Sequence, residues 1–154
     1  MIPVTSGLVW LCPISTPGKW CNSFMNLGSN KTGGKSSSCA RIYVAGHTGM
    51  VGAAIVQRLR AAGWHDIITR SHSDLDLLDQ AAVDLFFQEE HVDRVILAAA
   101  RVGGILANNT YPADFIYQNL VMETNVIHSA WQAGVGDLVF LGSSCIYPGS
   151  RRNP

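Results

Sequence analysis

The chain has 154 residues, 47% of them hydrophobic, and a formal net charge of zero. This length suits one domain, and this composition argues against disorder, a broad nucleic-acid footprint or a bilayer span of ~20 apolar residues. The cysteines, Cys12, Cys21, Cys39 and Cys145, form no Cys-x-x-Cys and no His pairing at zinc-ligand spacing. We therefore expect no metal, free thiols and a cytoplasmic location.

Residues 1–38 differ in composition from the rest of the chain, with no Asp or Glu, three lysines and many Ser, Gly and Pro residues. We expect an irregular or disordered leader here, followed over 39–154 by a partial dinucleotide-binding domain. We favour an extension from an aberrant start. Targeting to an organelle stays open, because the leader lacks acidic residues, although it also lacks arginine.

The first element after the leader is an apolar strand, Ile42 to Ala45, that runs into regularly spaced glycines. Gly46, Gly49 and Gly52 allow a tight turn, a close approach of the backbone and close helix–strand packing. The helix that follows, about Met50 to Ala62, offers its free N–H groups to a diphosphate. The alternative is a glycine-rich turn that binds nothing.

The remaining elements alternate between strand and helix. We predict strands over Asp66–Arg70, Asp93–Ala100 and Asp137–Gly142, and helices over Gln80–Glu90 and Ala113–Ala133, with Gly134 as a stop. Right-handed crossovers then predict an α/β fold, a Rossmann-like doubly wound parallel sheet of about four strands in the order 3-2-1-4. The outer edge of the fourth strand is expected to be unpaired.

The residue at the end of the second strand bears on the choice of dinucleotide. NAD-selective sites place a carboxylate there, whereas this chain has Arg70, followed by Ser71 and His72. A cation can bind a 2′-phosphate, which favours NADP, although Arg70 could also be a solvated strand-end residue. Asp76 and Leu77 are placed to meet the adenine edge, and Asp76 could instead cap a helix beginning near Leu78.

Two longer segments are more specific. Arg101–Phe115 closely resembles the loop and helix start after the third strand in the GDP-L-fucose synthase family of extended short-chain dehydrogenase/reductases. Gly142–Pro148 (Gly-Ser-Ser-Cys-Ile-Tyr-Pro) resembles the active-site segment of that family, and Gly46–Gly52 resembles its cofactor turn. The resemblance covers about residues 41–148.

The resemblance implies NADP (NADPH) as cofactor and GDP-4-keto-6-deoxy-mannose as the GDP-sugar substrate. Ser143 would hydrogen-bond the C4 oxygen of the sugar, and Cys145 would exchange protons at C3 and C5. For Ser143 a turn hydroxyl, and for Cys145 a small buried residue, are the alternatives. The cofactor would contact Gly46, His47, Thr48, Gly49, Met50, Val51, Gly52, Arg70, His72, Asp76, Leu77, Leu141, Gly142, Ser143 and Ser144.

Departures from the family pattern limit what is implied. Hydride transfer in this superfamily needs a Tyr-x-x-x-Lys pair, which the printed sequence lacks. Tyr147 and Arg151 have the spacing, but Pro148 and Gly149 intervene. We also expect the C-terminal substrate domain of the family to be absent, and the chain to be inactive alone. Thr48 replaces a family arginine, which should weaken the 2′-phosphate contact by about 1.5–3 kcal/mol.

Three functions therefore stay open. The chain is the NADP-binding portion of an epimerase/reductase, a non-catalytic nucleotide-binding or dimer-partner module, or a non-functional truncated product. The long helix Ala113–Ala133 resembles one that this superfamily uses in dimer formation. That resemblance implies a homodimer or pairing with a full-length homologue, and we expect neither nucleic acid nor a membrane as partner.

Overall fold

A computed structural model of the chain describes residues 9–12 and 40–142, the first segment as backbone only. These residues form five strands and four helices in chain order. They are β1 (Val9–Cys12), β2 (Ile42–Ala45), α1 (Met50–Ala61), β3 (Ile67–Ile68), α2 (Gln80–Glu90), β4 (Arg94–Leu97), α3 (Ile105–Thr110), α4 (Pro112–Gln132) and β5 (Asp137–Leu141). Within these residues, no helix is long and apolar enough to cross a membrane.

The strands form one sheet in the order β1-β5-β4-β2-β3. Strands β2 to β5 are parallel, and β1 is antiparallel to β5. The Rossmann-like doubly wound sheet is therefore confirmed, but its predicted strand order is wrong. In chain order, the four predicted strands lie 2-1-3-4 rather than 3-2-1-4.

The correct order follows from the faces on which the helices pack. Ile42 and Val44 of β2 face α1 through Val56, whereas Tyr43 faces the opposite side, where Phe87 of α2 packs. With right-handed crossovers, a helix on the opposite face moves the chain in the opposite direction across the sheet. The connection through α2 therefore carries the chain back past β2, and β4 pairs with β2 on the side away from β3.

Strand β1 covers the edge that was expected to be open. Val9 pairs with Leu141 and Cys12 with Leu138, in antiparallel register. The predictions of an irregular leader and of an unpaired β5 edge are thus wrong for these four residues. The rest of the leader lies outside the described residues. The side chains of the four cysteines are likewise not described, so the prediction of free thiols stays a prediction.

The helix ends show which polar side chains satisfy free backbone groups. Asp79 caps α2, its carboxylate accepting from the N–H groups of Ala81 and Ala82 at 3.0 and 3.2 Å. Asp76 does not cap that helix, because its carboxylate accepts from the N–H of Leu78, one turn earlier. Gly134 follows α4 at a φ of 76°, as its predicted stop requires. Helix α3 was not predicted.

Candidate functional site

The glycine turn between β2 and α1 is closed by contacts that leave no room for side chains. Gly46 has a φ of 81°, and its carbonyl accepts from the N–H of Gly49 at 3.0 Å. A β-carbon on Gly52 would lie 2.1 Å from that carbonyl oxygen, and one on Gly46 would lie 2.6 Å from the nitrogen of Ala99. The turn is therefore packed between the start of α1 and the end of β4.

The first turn of α1 retains free backbone donors. Gly49 occupies the position before the helix and provides no side-chain hydrogen bond, and the first turn contains no acidic residue. The N–H groups of Met50, Val51 and Gly52 lie in this turn, where an α-helix has no internal acceptors. Met50 is almost fully exposed, Val51 is half-exposed and Gly52 is buried. An anion placed here would meet backbone donors and the positive end of the helix dipole.

A cleft of about 420 Å³ opens beside this turn, at the carboxyl ends of β2 and β4. It lies where the strand order reverses direction, since β2 has β3 on one side and β4 on the other. Such reversal points are where open α/β sheets bind their ligands. Seven predicted cofactor residues line the cleft, namely Gly46, Thr48, Gly49, Arg70, His72, Asp76 and Leu77.

Met50, Val51 and Gly52 lie beside the larger cleft in the first turn of α1, and the remaining predicted cofactor residues that the structure describes lie elsewhere. His47 faces a second cleft of about 340 Å³, with Gln57, Arg60 and Thr69, and its Nδ1 is buried without a hydrogen-bond partner among the described residues. Leu141 ends β5, which lies one strand beyond β4, and Gly142 follows it. Neither residue lines the larger cleft in the described part of the chain. Ser143, Ser144 and Cys145 lie outside the described residues, so the two catalytic candidates stay predictions.

Arg70 supplies a cation at the rim of the larger cleft. Its guanidinium contacts the carboxylate of Glu90, donates to the carbonyl of Thr69 at 3.1 Å and lies 5.7 Å from the ring centre of Phe86. The imidazole of His72 is highly exposed, with its Nδ1 3.7 Å from a carboxylate oxygen of Asp76. Arg70 is therefore not a freely solvated strand end, because its guanidinium is paired with a carboxylate, whereas the His72 imidazole stays exposed.

The first carboxylate along the chain after β3, that of Asp74, already accepts hydrogen bonds. Asp74 accepts from the N–H and the hydroxyl of Ser71 at 3.2 and 2.6 Å. These hydrogen bonds lower the pKa of Asp74 below its ordinary value. Asp74 does not line the larger cleft in the described part of the chain. Arg70 therefore lines the cleft close to the end of β3, and the first carboxylate that lines the cleft after it is Asp76.

Tyr43 is a cleft residue that the sequence analysis missed. Its ring packs 4.6 Å from that of Phe86 and 6.0 Å from that of Phe87, and it is almost fully buried. Burial raises the pKa of its phenol well above the ordinary value, so the side chain is neutral. The alternation along β2 would have placed it on the α2 face, opposite Ile42 and Val44.

The loop after β4 is fixed to α4 by one amide side chain. Asn119 accepts from the N–H of Arg101 at 2.7 Å and donates to its carbonyl at 3.0 Å. The guanidinium of Arg101 lies 4.9 Å from the ring centre of Phe115. Arg101 lines the cleft together with Gln118 and Met122 of α4, which the sequence analysis also did not single out. The two hydrogen bonds between Asn119 and Arg101 hold this wall of the cleft in place.

The sequence profile of the NAD dependent epimerase/dehydratase family matches residues 42–154. The chain belongs to this family. The match begins at the first residue of β2 and so includes the glycine turn, the end of β3 and the loop after β4. All three regions line the larger cleft.

Individual relatives agree with the family. The chain is 55% identical over 114 residues to a GDP-L-fucose synthase of Escherichia coli, covering 74% of this chain and 36% of the relative. It is 58% identical over 113 residues to GDP-L-fucose synthase 1 of Arabidopsis thaliana, covering 73% and 35%. The chain thus spans about a third of the length of these curated relatives.

A solved structure of a GDP-mannoheptose C4 reductase from Campylobacter jejuni with NADP bound is similar in fold. It is 40% identical, with a TM-score of 0.72, over 77% of this chain and 38% of that one. The parallel sheet and its helices are therefore similar in three dimensions to those of a GDP-sugar reductase.

Proposed function

We propose that this chain carries the NADP-binding part of a GDP-sugar epimerase/reductase of the GDP-L-fucose synthase kind. The observation that carries the proposal is the pairing of the closed Gly46–Gly52 turn with a cation, Arg70, across one cleft at the reversal point of the sheet. The turn suits a diphosphate, and the cation suits a 2′-phosphate. Identity to GDP-L-fucose synthases of two organisms supports the substrate class.

The charge and the hydrogen-bond donors around the cleft suit the phosphates of a dinucleotide. Gly46 and Gly52 let the turn close against Ala99 and against the start of α1. Met50 to Gly52 would then donate backbone N–H groups to the diphosphate. When bound, NADPH supplies the hydride that reduces a ketone. Thr48 offers a hydroxyl where the resemblance implies a guanidinium, so we expect Arg70 to carry most of the 2′-phosphate recognition.

The chemistry on the sugar is proposed from the sequence. Ser143 would donate to the C4 oxygen of GDP-4-keto-6-deoxy-mannose, and Cys145, as a thiolate, would move protons at C3 and C5. The 154 residues hold no Tyr-x-x-x-Lys pair to protonate the reduced oxygen. We therefore expect the 154-residue chain to bind cofactor without measurable turnover, in the cytoplasm.

Binding is tested by titrating the purified chain with NADPH and with NADH, followed by the nucleotide fluorescence. We expect saturable binding of both, with NADPH tighter by about tenfold or more, since a charged hydrogen bond adds ~1.5–3 kcal/mol. Arg70→Gln should bring the NADPH affinity close to that of NADH. Arg58→Gln, an exposed arginine of α1 outside the cleft, is the matched control. Equal affinities in the unaltered chain would contradict NADP selectivity.

A second function, pairing with another subunit, is favoured by one surface of α4. Ile116, Leu120, Ile127 and Trp131 recur on one side of this helix and are 36–61% exposed. We propose that this side contacts a second copy of the chain. Sedimentation of the unaltered chain should then show a dimer, which Leu120→Lys with Trp131→Lys converts to a monomer. Gln132→Lys, on another side of α4, should leave the mass unchanged.

A further inference from the structure

Glu90 places a negative charge beside Arg70, the residue that would recognise the cofactor phosphate. Its carboxylate contacts the Arg70 guanidinium directly, and both side chains are only partly exposed, at 27% and 37%. Phe86 lies beneath the same guanidinium, which confines it between an aromatic ring and a carboxylate. Arg70 thus has an anionic partner within the protein itself.

A phosphate that arrives at Arg70 must displace this partner or share it. A guanidinium has five N–H donors, and one of them is already given to the carbonyl of Thr69. A dianionic phosphate close to Glu90 would also be repelled by the carboxylate, in a site where solvent screening is incomplete. The competition for Arg70 and the repulsion by Glu90 both weaken binding of a ribose with a 2′-phosphate, and neither affects a ribose without one.

We propose that Glu90 is a specificity-determining residue, which competes with the 2′-phosphate for Arg70 and so limits the preference for NADPH over NADH. This inference rests on the proposed function of the cleft. Glu90 lies on α2, outside the residues that line the cleft, and reaches the cofactor only through Arg70.

The fold can lose this charge, because the shorter contacts around Glu90 other than that to Arg70 do not depend on it. Arg41 donates to the main-chain carbonyl of Glu90 at 2.7 Å and is paired with Asp66 at 3.0 Å. The main-chain N–H of Arg41 donates to the carboxylate of Asp93 at 2.8 Å. The carboxylate of Glu90 is 3.8 Å from Arg41, the weaker of the contacts at that guanidinium. Glu90→Gln keeps the shape of the side chain and all of these main-chain contacts.

The experiment compares Kd values for NADPH and NADH in the unaltered chain, Glu90→Gln and Glu89→Gln. Glu89 is the adjacent carboxylate on the same helix, it is exposed, and its substitution makes the same change in net charge. We expect Glu90→Gln to tighten NADPH binding about three- to tenfold, the size of a partly screened ion pair, with NADH unchanged. Glu89→Gln should change neither Kd by more than about twofold.

A smaller ligand tests the contribution of the 2′-phosphate by itself. Adenosine 2′,5′-bisphosphate should gain from Glu90→Gln as NADPH does, whereas ADP should not. In Arg70→Gln the further change of Glu90→Gln should have no effect, because the residue through which Glu90 acts has been removed. This double variant excludes an effect of Glu90 on folding alone.

The outcomes separate the two proposals. If the unaltered chain binds NADPH but Glu90→Gln leaves its Kd unchanged, the role of Glu90 is overturned and the proposed function stands. If Glu90→Gln weakens NADPH binding, Glu90 orients Arg70 for the phosphate, which is the opposite of the proposal. If the unaltered chain binds neither dinucleotide, the proposed function fails and the role of Glu90 fails with it.

Discussion

The α-carbon of Gly52 faces the carbonyl of Gly46 so closely that an added β-carbon would lie 2.1 Å from the carbonyl oxygen. Because that neighbour is backbone, a side chain at 52 must move either the turn or the start of α1. We predict that Gly52→Ala lowers the free energy of unfolding by about 1–3 kcal/mol or more and abolishes NADPH binding. Urea unfolding and dinucleotide titration of the same sample measure both effects.

The control for this prediction adds the same methyl group where there is room. A β-carbon on Gly136 would have its nearest neighbour, the carbonyl oxygen of Asp93, at 3.9 Å, which is ordinary contact. Gly136→Ala should therefore leave both stability and binding nearly unchanged. Tight NADPH binding by Gly52→Ala would show that the turn is not the cofactor cradle.

Asn125 joins α4 to the segment before α2. Its buried side-chain amide donates to the carbonyls of Leu77 and Leu78 at 3.0 and 3.2 Å. We predict that Asn125→Ala costs about 1–3 kcal/mol, because buried acceptors lose their donor. Asn125→Asp should cost more near neutral pH, since a buried carboxylate would face two carbonyl oxygens. Chemical denaturation measures these changes, with the exposed Asn109→Asp as control. Equal stability of the two Asn125 variants and the unaltered chain would contradict the prediction.

Asn119 controls the position of the loop after β4. Since it pairs with both backbone groups of Arg101, Asn119→Ala should release that loop without unfolding the sheet. We predict faster hydrogen exchange at the N–H of Arg101, with unchanged protection of β4. Exchange followed by mass spectrometry or NMR measures this. Unchanged exchange of the loop would mean that other contacts hold it.

Tyr43 makes the fold sensitive to alkaline pH. Burial raises the pKa of its phenol, so the folded chain retains this proton at a pH where the unfolded chain has lost it. The free energy of unfolding should therefore fall as pH rises above about 10, the ordinary pKa of tyrosine. Tyr43→Phe should flatten that dependence, whereas exposed Tyr117→Phe should not. Unfolding curves from about pH 8 to about pH 11 test it, and equal slopes would contradict it.

The sequence allowed most of the fold to be predicted, because apolar periodicity and the glycine turn are local signals. Helix α2 has the predicted bounds, Gln80–Glu90, and α4 differs from its prediction by one residue at each end. Strand order could not be predicted in the same way. It depends on which face of the sheet α2 covers, and Phe86 and Phe87 indicate an apolar face without saying which side of the sheet it meets.

The candidate site was predicted only in part, for a related reason. Gly46, Thr48, Gly49 and Arg70 belong to motifs of fixed spacing, and they do line the larger cleft. Tyr43 and Glu90 belong to no such motif, because their contacts depend on the packing of α2 against the sheet. Glu90 is 20 residues from Arg70 in the chain, so only the packing of α2 brings the two together.

The central claim, that this chain holds NADPH in the cleft beside the glycine turn, is tested most directly by thermal unfolding with and without the cofactor. A cooperative transition should move upward by roughly 5–10 °C at NADPH concentrations about 100 times the Kd, because such saturation adds ~2.7 kcal/mol. NADH at the same concentration should shift it less. A transition that neither dinucleotide moves would contradict the claim and remove the basis for assigning the family's cofactor to this chain.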